Sequence, residues 1–102
     1  MGYVLHPEVH GDLEEIHSYF ERFNPSAADR ILDEFLKAFD LLSQFPDLGH
    51  RRNDLTSRPL RFNVVRSFLI AHLPHQRPLW IVAVVDGRRS PRVIAAMLRG
   101  RE

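Results

Sequence analysis

The sequence predicts an α+β fold, and three observations carry that prediction. Apolar residues recur at helical three-four spacing across residues 9–45, then fall into near-continuous runs from residue 61 onward. Between the two regimes, residues 46–60 lose all periodicity and are punctuated by Pro46, Gly49 and Pro59. At 102 residues the chain suits a single domain, 1–102, with one modest core. Hydrophobic residues make up 44% and charged residues 26%, an ordinary globular composition. The absence of cysteine excludes disulfides, thiol redox chemistry and thiolate-bound zinc.

Tyr3-Val4-Leu5-His6 reads as a short edge strand, and Pro7 suits the opening turn of a helix. Val9, Leu13, Ile16, Phe20 and Phe23 form one apolar helix face, with Glu8, Asp12, Glu14 and Glu15 near the positive end. Asn24-Pro25 stops this helix and opens the next, since Asn caps well and Pro is tolerated at the first position. Ile31, Phe35, Ala38, Phe39, Leu42 and Phe45 continue the pattern until Pro46, so the two helices make an antiparallel hairpin. Strands follow at Arg61–Val65, Phe68–Leu73 and Leu79–Val85, the last ending at the turn Asp86-Gly87. Their short connections imply antiparallel pairing. The tail from Pro91, with Val93 to Leu98, continues as a short helix. The expected architecture is an N-terminal strand, a two-helix hairpin, a three-stranded antiparallel meander forming one sheet, and a short C-terminal helix.

The last strands carry a further expectation. Trp80, Val82 and Val84 should point one way and Leu79, Ile81, Ala83 and Val85 the other, and both sets are apolar. Such a strand is covered on both faces. The helix hairpin can cover one; the other falls to the tail 91–98, to self-association or to a partner chain.

Charge is balanced only in total. Residues 1–47 hold three bases and ten acids, a net of −7, whereas residues 48–102 hold eleven bases and three acids, a net of +8. The basic half contains arginine and no lysine. Guanidinium forks favour carboxylate or phosphate, so an acidic or nucleic-acid partner is one reading and packing against the acidic half the other. No basic-then-apolar leader and no run of roughly 18–20 apolar residues is present, which gives a cytoplasmic address and no membrane partner.

Few residues suggest catalysis. His6, His10 and His17 share a stripe on the first helix without metal-ligand spacing, so a polar rim is expected and no metal or cofactor. There is no Gly-x-Ser-x-Gly elbow and no phosphate-binding glycine loop. Arg61 opens the strand region and Arg88-Arg89 follow the last strand, and antiparallel pairing would place them toward one end of the sheet. With Arg66 and His72 they form the candidate set for phosphodiester cleavage, guanidinium groups for the charge and imidazole for the proton. Read structurally, His72 is a partly buried strand residue and the arginines are solvated or paired with the acidic half.

Several of these motifs occur in a familiar order. His6-Pro7-Glu8 with Asp12-Leu13-Glu14-Glu15-Ile16, then Asn24-Pro25-x-Ala27-Ala28-x-Arg30-Ile31, then Phe45-Pro46-x-Leu48-Gly49 resemble the RelE/ParE toxin superfamily. Arg61 opening a strand and Val84-Val85-Asp86-Gly87-Arg88-Arg89 closing one extend the likeness over nearly the whole chain. The hairpin and the Pro-x-Leu-Gly segment look like the ParE branch. That resemblance implies the toxin of a type II toxin–antitoxin (plasmid stabilisation) pair, neutralised by an acidic, ParD-like antitoxin and acting on DNA gyrase by binding, with no catalytic residues. On that reading Arg61, Arg88 and Arg89 are the candidates for target-facing charge, and Phe68, Ile70, Trp80 and Leu98 the candidates for antitoxin contact. The alternative is a RelE-like endoribonuclease that cleaves mRNA on the ribosome with Arg61, Arg66 and His72. Against it, the sole lysine, Lys37, lies on the second helix, both tyrosines are N-terminal, and no histidine follows His75.

Overall fold

A computed structural model describes residues 2–101. The elements are β1 (Tyr3–Leu5), α1 (Val9–Glu21), α2 (Pro25–Gln44), β2 (Arg61–Val65), β3 (Phe68–Leu73), β4 (Leu79–Asp86) and α3 (Pro91–Arg99). Asn24 caps α2 as its sequence requires, its Oδ1 accepting from the N–H groups of Ser26 at 3.1 Å and Ala27 at 3.3 Å. Helix α1 begins two residues after Pro7, with the Val9 N–H donating to the His6 carbonyl at 2.9 Å.

The four strands run in the order β1-β4-β3-β2. β2, β3 and β4 form the antiparallel meander, but β1 pairs with β4 in parallel, so the sheet is mixed. No hairpin turn dictates the direction of β1, because both long helices and two strands intervene before its neighbour.

Two cores lie on opposite faces of the sheet. On one, Val9 and Leu13 of α1 and Ile31, Phe35, Phe39 and Leu42 of α2 pack on Phe68, Ile70, Leu79, Ile81 and Val84. On the other, Ile94 and Leu98 of α3 pack on Leu69, Ala71, Val82, Ala83 and Val85. Leu55 and Leu60 from the long connection between α2 and β2 complete this second layer, so tail and connection together close the face. Phe23 and Phe45, expected on the buried helix faces, are instead 71% and 55% exposed. Each lies just past the end of its helix, and α2, at 20 residues and about 30 Å, outreaches the strands beneath it.

The facing of β4 also departs from simple alternation. Ala71 pairs with Ala83 but His72 pairs with Ile81, leaving Val82 as an extra residue in β4. Leu79 and Ile81 face the helix hairpin, Val82 and Ala83 both face α3, and Val84 returns to the hairpin side. The short β1 gives out at the same level: its last ladder partner is Ile81, whose carbonyl accepts from the His6 N–H. Beyond it no strand among the described residues lies beside the edge of β4. An ion pair takes the strand's place. The Val84 N–H donates to the Asp12 carboxylate at 3.0 Å, and Arg101 Nη1 donates to the Val82 carbonyl at 3.2 Å.

Candidate functional site

The expected arginine cluster divides between the two ends of the sheet. Arg61 pairs across the ladder with His72, at the level of Ile81, whereas Asp86, just before Arg88, pairs with Phe68. Five residues of β4 separate those levels, about 17 Å at the rise of a strand. Arg61 therefore does not join Arg88 and Arg89. Arg66 does share their end of the sheet, because it lies in the β2–β3 turn, where the Ser67 carbonyl accepts from the Gly87 N–H.

At the Arg61 end the polar groups hold a loop. Arg61 Nη2 donates to the Gly49 carbonyl at 2.7 Å, and its Nε donates to that of Leu48 at 3.3 Å. His72 is wholly buried; its Nε2 lies 2.7 Å from the Pro46 carbonyl and its Nδ1 3.3 Å from the Asn63 amide. A carbonyl on Nε2 requires the proton there, leaving Nδ1 to accept from the Asn63 amide. Burial pushes the imidazole pKa below its ordinary value, and the Arg61 charge pushes the same way. His72 is thus a neutral tie for residues 46–49. The expected cleavage trio is not assembled: Arg66 is at the other end, and His72 has no free ring nitrogen and no exposure.

The Arg88 end borders a groove of about 960 Å³ between α1, the end of β4 and α3. Ile16, Phe20, Phe68, Val84 and Met97 contribute apolar lining, and Tyr19, Arg22, Arg88 and Arg89 line it with charge and aromatic surface. An aromatic chain runs outward from the core. Phe35 meets Phe68 edge-on at 5.6 Å, Phe68 meets Phe20 at 6.2 Å, and Tyr19 meets Phe20 at 5.4 Å and the exposed Phe23 at 5.3 Å. Arg22 lies over the Tyr19 ring at 5.5 Å.

Every arginine of the expected set at this end has a carboxylate of its own chain. Arg88 forks onto Asp86 at 2.8 and 3.0 Å, and Arg66 onto Glu34 at 2.8 and 2.9 Å. Arg89 reaches Glu15 more loosely, at 3.8 Å. The guanidinium hydrogen bonds hold the Asp86 and Glu34 carboxyls below their usual range. Behind the groove sits Arg101, 8% exposed, with Nη2 on Asp12 Oδ1 at 2.6 Å and Nη1 on Oδ2. No sequence pattern marks a penultimate arginine as the partner of a helix aspartate 89 positions away. Glu15 is equally hidden, since nothing in the sequence distinguishes it from a solvated acid, whereas Asp86 stands two residues before Arg88 and its place beside the arginines is legible locally.

Phe68, Ile70 and Leu98, expected as partner contacts, are 6%, 0% and 1% exposed and belong to the two cores. Ile70 and Leu98 are closed off in the intact fold, and Phe68 reaches only the wall of the α1–α3 groove. Trp80 alone of that set reaches the surface, half-buried beside His6, Pro7, Leu73 and Gln76 in a second cavity of about 490 Å³. Its neighbours Leu79 and Ile81 face the helix hairpin, so its side chain stands on the opposite face of the sheet, with Leu73 and Val82. The expected histidine stripe is not one helix face: His6 precedes α1 and its Nδ1 accepts from the Glu8 N–H, while His17 reaches across to Asp29 of α2 at 3.0 Å. Among the described residues no group of three or more His, Asp or Glu is placed to hold a metal. No helix among them is long and apolar enough to cross a membrane.

The family model for the ParE toxin of the type II toxin–antitoxin system parDE matches residues 3–91, from the first strand to the first residue of α3. No curated protein matches the chain.

Proposed function

The chain belongs to the ParE family of type II toxin–antitoxin toxins, and from that premise we propose that it is a non-enzymatic toxin that inhibits DNA gyrase by binding and is neutralised by a cognate acidic antitoxin. The observation that carries the non-enzymatic reading is the fate of His72 and Arg61. The one strand imidazole is neutral, buried and committed to a backbone carbonyl, and the arginine beside it is spent on the same loop. A ribonuclease needs a general acid and base within reach of solvent and substrate. A binding toxin needs only a surface of fitting shape and charge.

The target-facing charge in this reading is Arg88 and Arg89, both exposed on the lip of the α1–α3 groove. Arg61, at the other end of the sheet and bonded to the Gly49 carbonyl, is not part of that surface in this reading. For the antitoxin, the Trp80 cavity offers an apolar wall formed by Leu73 and Trp80 with Arg58 beside it. Trp is the residue type most often found to dominate an interface.

Purified toxin assayed for gyrase supercoiling and for mRNA integrity in a ribosome-dependent translation mix separates the readings. Loss of supercoiling with intact mRNA is expected, and the Arg88→Ala/Arg89→Ala double variant should lose at least about tenfold in inhibition. Cleaved mRNA with normal supercoiling would refute the proposal in favour of a RelE-like endoribonuclease.

A further inference from the structure

We propose that the Arg88 end of the sheet is a self-masked docking surface for an acidic polypeptide segment, whose carboxylates displace Asp86 from Arg88 and Glu15 from Arg89. This rests on the reading of Arg88 and Arg89 as target-facing and adds the chemistry of what they meet. The guanidinium forks already hold carboxylates, Arg88 in a two-point contact at 2.8 and 3.0 Å, so the geometry for that ligand is built. The apolar lining from Ile16, Phe20, Val84 and Met97 suits side chains of a polypeptide. Nucleic acid fits less well, because Glu15, Glu21 and Asp86 stand among the same arginines and repel a continuous line of phosphates.

Exchange is feasible because the masks are shallow. Arg88 is 71% exposed, and Arg89 and Glu15 are 54% and 79% exposed at a separation of 3.8 Å. Ion pairs in such surroundings contribute little, so a ligand carboxylate has only a weak competitor to remove. Asp86 is the tighter mask, since its carboxylate also accepts from the Arg88 backbone N–H at 2.9 Å. The chain thus sets its own threshold for an acidic partner.

The test compares Asp86→Asn and Glu15→Gln with Asp40→Asn, an exposed α2 aspartate far from the groove that changes net charge equally. Asparagine keeps an oxygen for the Arg88 N–H, and circular dichroism confirms that each variant is folded. Binding is read by fluorescence anisotropy of a labelled Glu/Leu oligopeptide and, separately, of a labelled oligo-dT. Asp86→Asn and Glu15→Gln should bind the peptide about two- to five-fold tighter than the wild type, with Asp40→Asn unchanged. Equal gains in all three variants, or tighter binding of oligo-dT than of the peptide, would overturn the proposal. Gyrase inhibition is not part of the readout, so a wild type inert toward gyrase sinks the target assignment while leaving this result standing or falling by itself.

Discussion

Replacing Arg101 by methionine removes a guanidinium and keeps an apolar stem in the same space. Asp12 would then keep a carboxylate, 12% exposed in the intact pair, with the Val84 N–H as its remaining partner, and the Val82 carbonyl would lose its donor. Breaking a buried pair from one side costs about 3–5 kcal/mol, because the surviving charge is stranded. Asp12 keeps some access to water, so the lower end, about 3 kcal/mol, is the expectation. For a domain of this size each kcal/mol lowers the melting temperature by about 4–8 °C, giving a fall of about 12–24 °C. The companion Asp12→Leu/Arg101→Met removes both charges and leaves only the orphaned Val84 N–H and Val82 carbonyl. It should be about 1–2 kcal/mol more stable than Arg101→Met alone. Urea unfolding of wild type, both single variants and the double variant closes the cycle. An Arg101→Met protein within about 0.5 kcal/mol of wild type, or strict additivity of the two single changes, would show that the pair does not hold the β4 edge.

Other substitutions probe separate links. The depressed His72 pKa means the native state binds fewer protons than the unfolded chain as pH falls through about 6.5. Its stability is complete above that pH and declines below it, so urea midpoints should fall from pH 7.5 to pH 5; an unchanged slope in His72→Gln would refute His72 as the source. Gly49 has φ +89°, and an added Cβ would sit 2.5 Å from the Phe62 carbonyl oxygen. Gly49→Ala should therefore cost about 2–3 kcal/mol in chemical denaturation, and a cost under about 1 kcal/mol would mean that the loop relaxes freely. Leu98→Ala should cost about 2–5 kcal/mol and weaken partner binding only through unfolding, whereas Trp80→Ala should leave the fold intact and weaken antitoxin binding directly, as calorimetry and thermal melts would separate.

Local signals carried most of the fold. Asn24-Pro25 located the helix junction, Pro46 the end of α2, and Asp86-Gly87 the end of β4, because caps and breakers act within a few residues. What escaped was set by distance or by a single inserted residue. The bulge at Val82 inverts the facing of half of β4, and nothing in an all-apolar run reveals it. Leu55 and Leu60 sit in a polar, aperiodic stretch and still close the second sheet face. The candidate site fared worse for the same reason. Arg61 and Arg88 look equivalent until the strand register sends them to opposite ends, and a buried Phe68 or Leu98 looks like a sticky surface residue until its partners are known.

The split between an acidic first half and a basic second half admits both of its readings, and burial decides between them arginine by arginine. Arg66, Arg89 and Arg101 each pair with a carboxylate from the first half, and Arg88 with one from its own. Chemically these contacts are alike. Arg101, 8% exposed, is largely cut off from the water that would replace Asp12, so its pair is a fixed part of the β4 edge. The 71% exposed Arg88 can trade Asp86 for water or for another carboxylate at little cost. A charge pair that is weak as a source of stability is for that reason usable as a contact for a partner. The proposed partner surface follows from that difference rather than from net charge, since the +8 of the basic half counts a latch and an exchangeable fork alike.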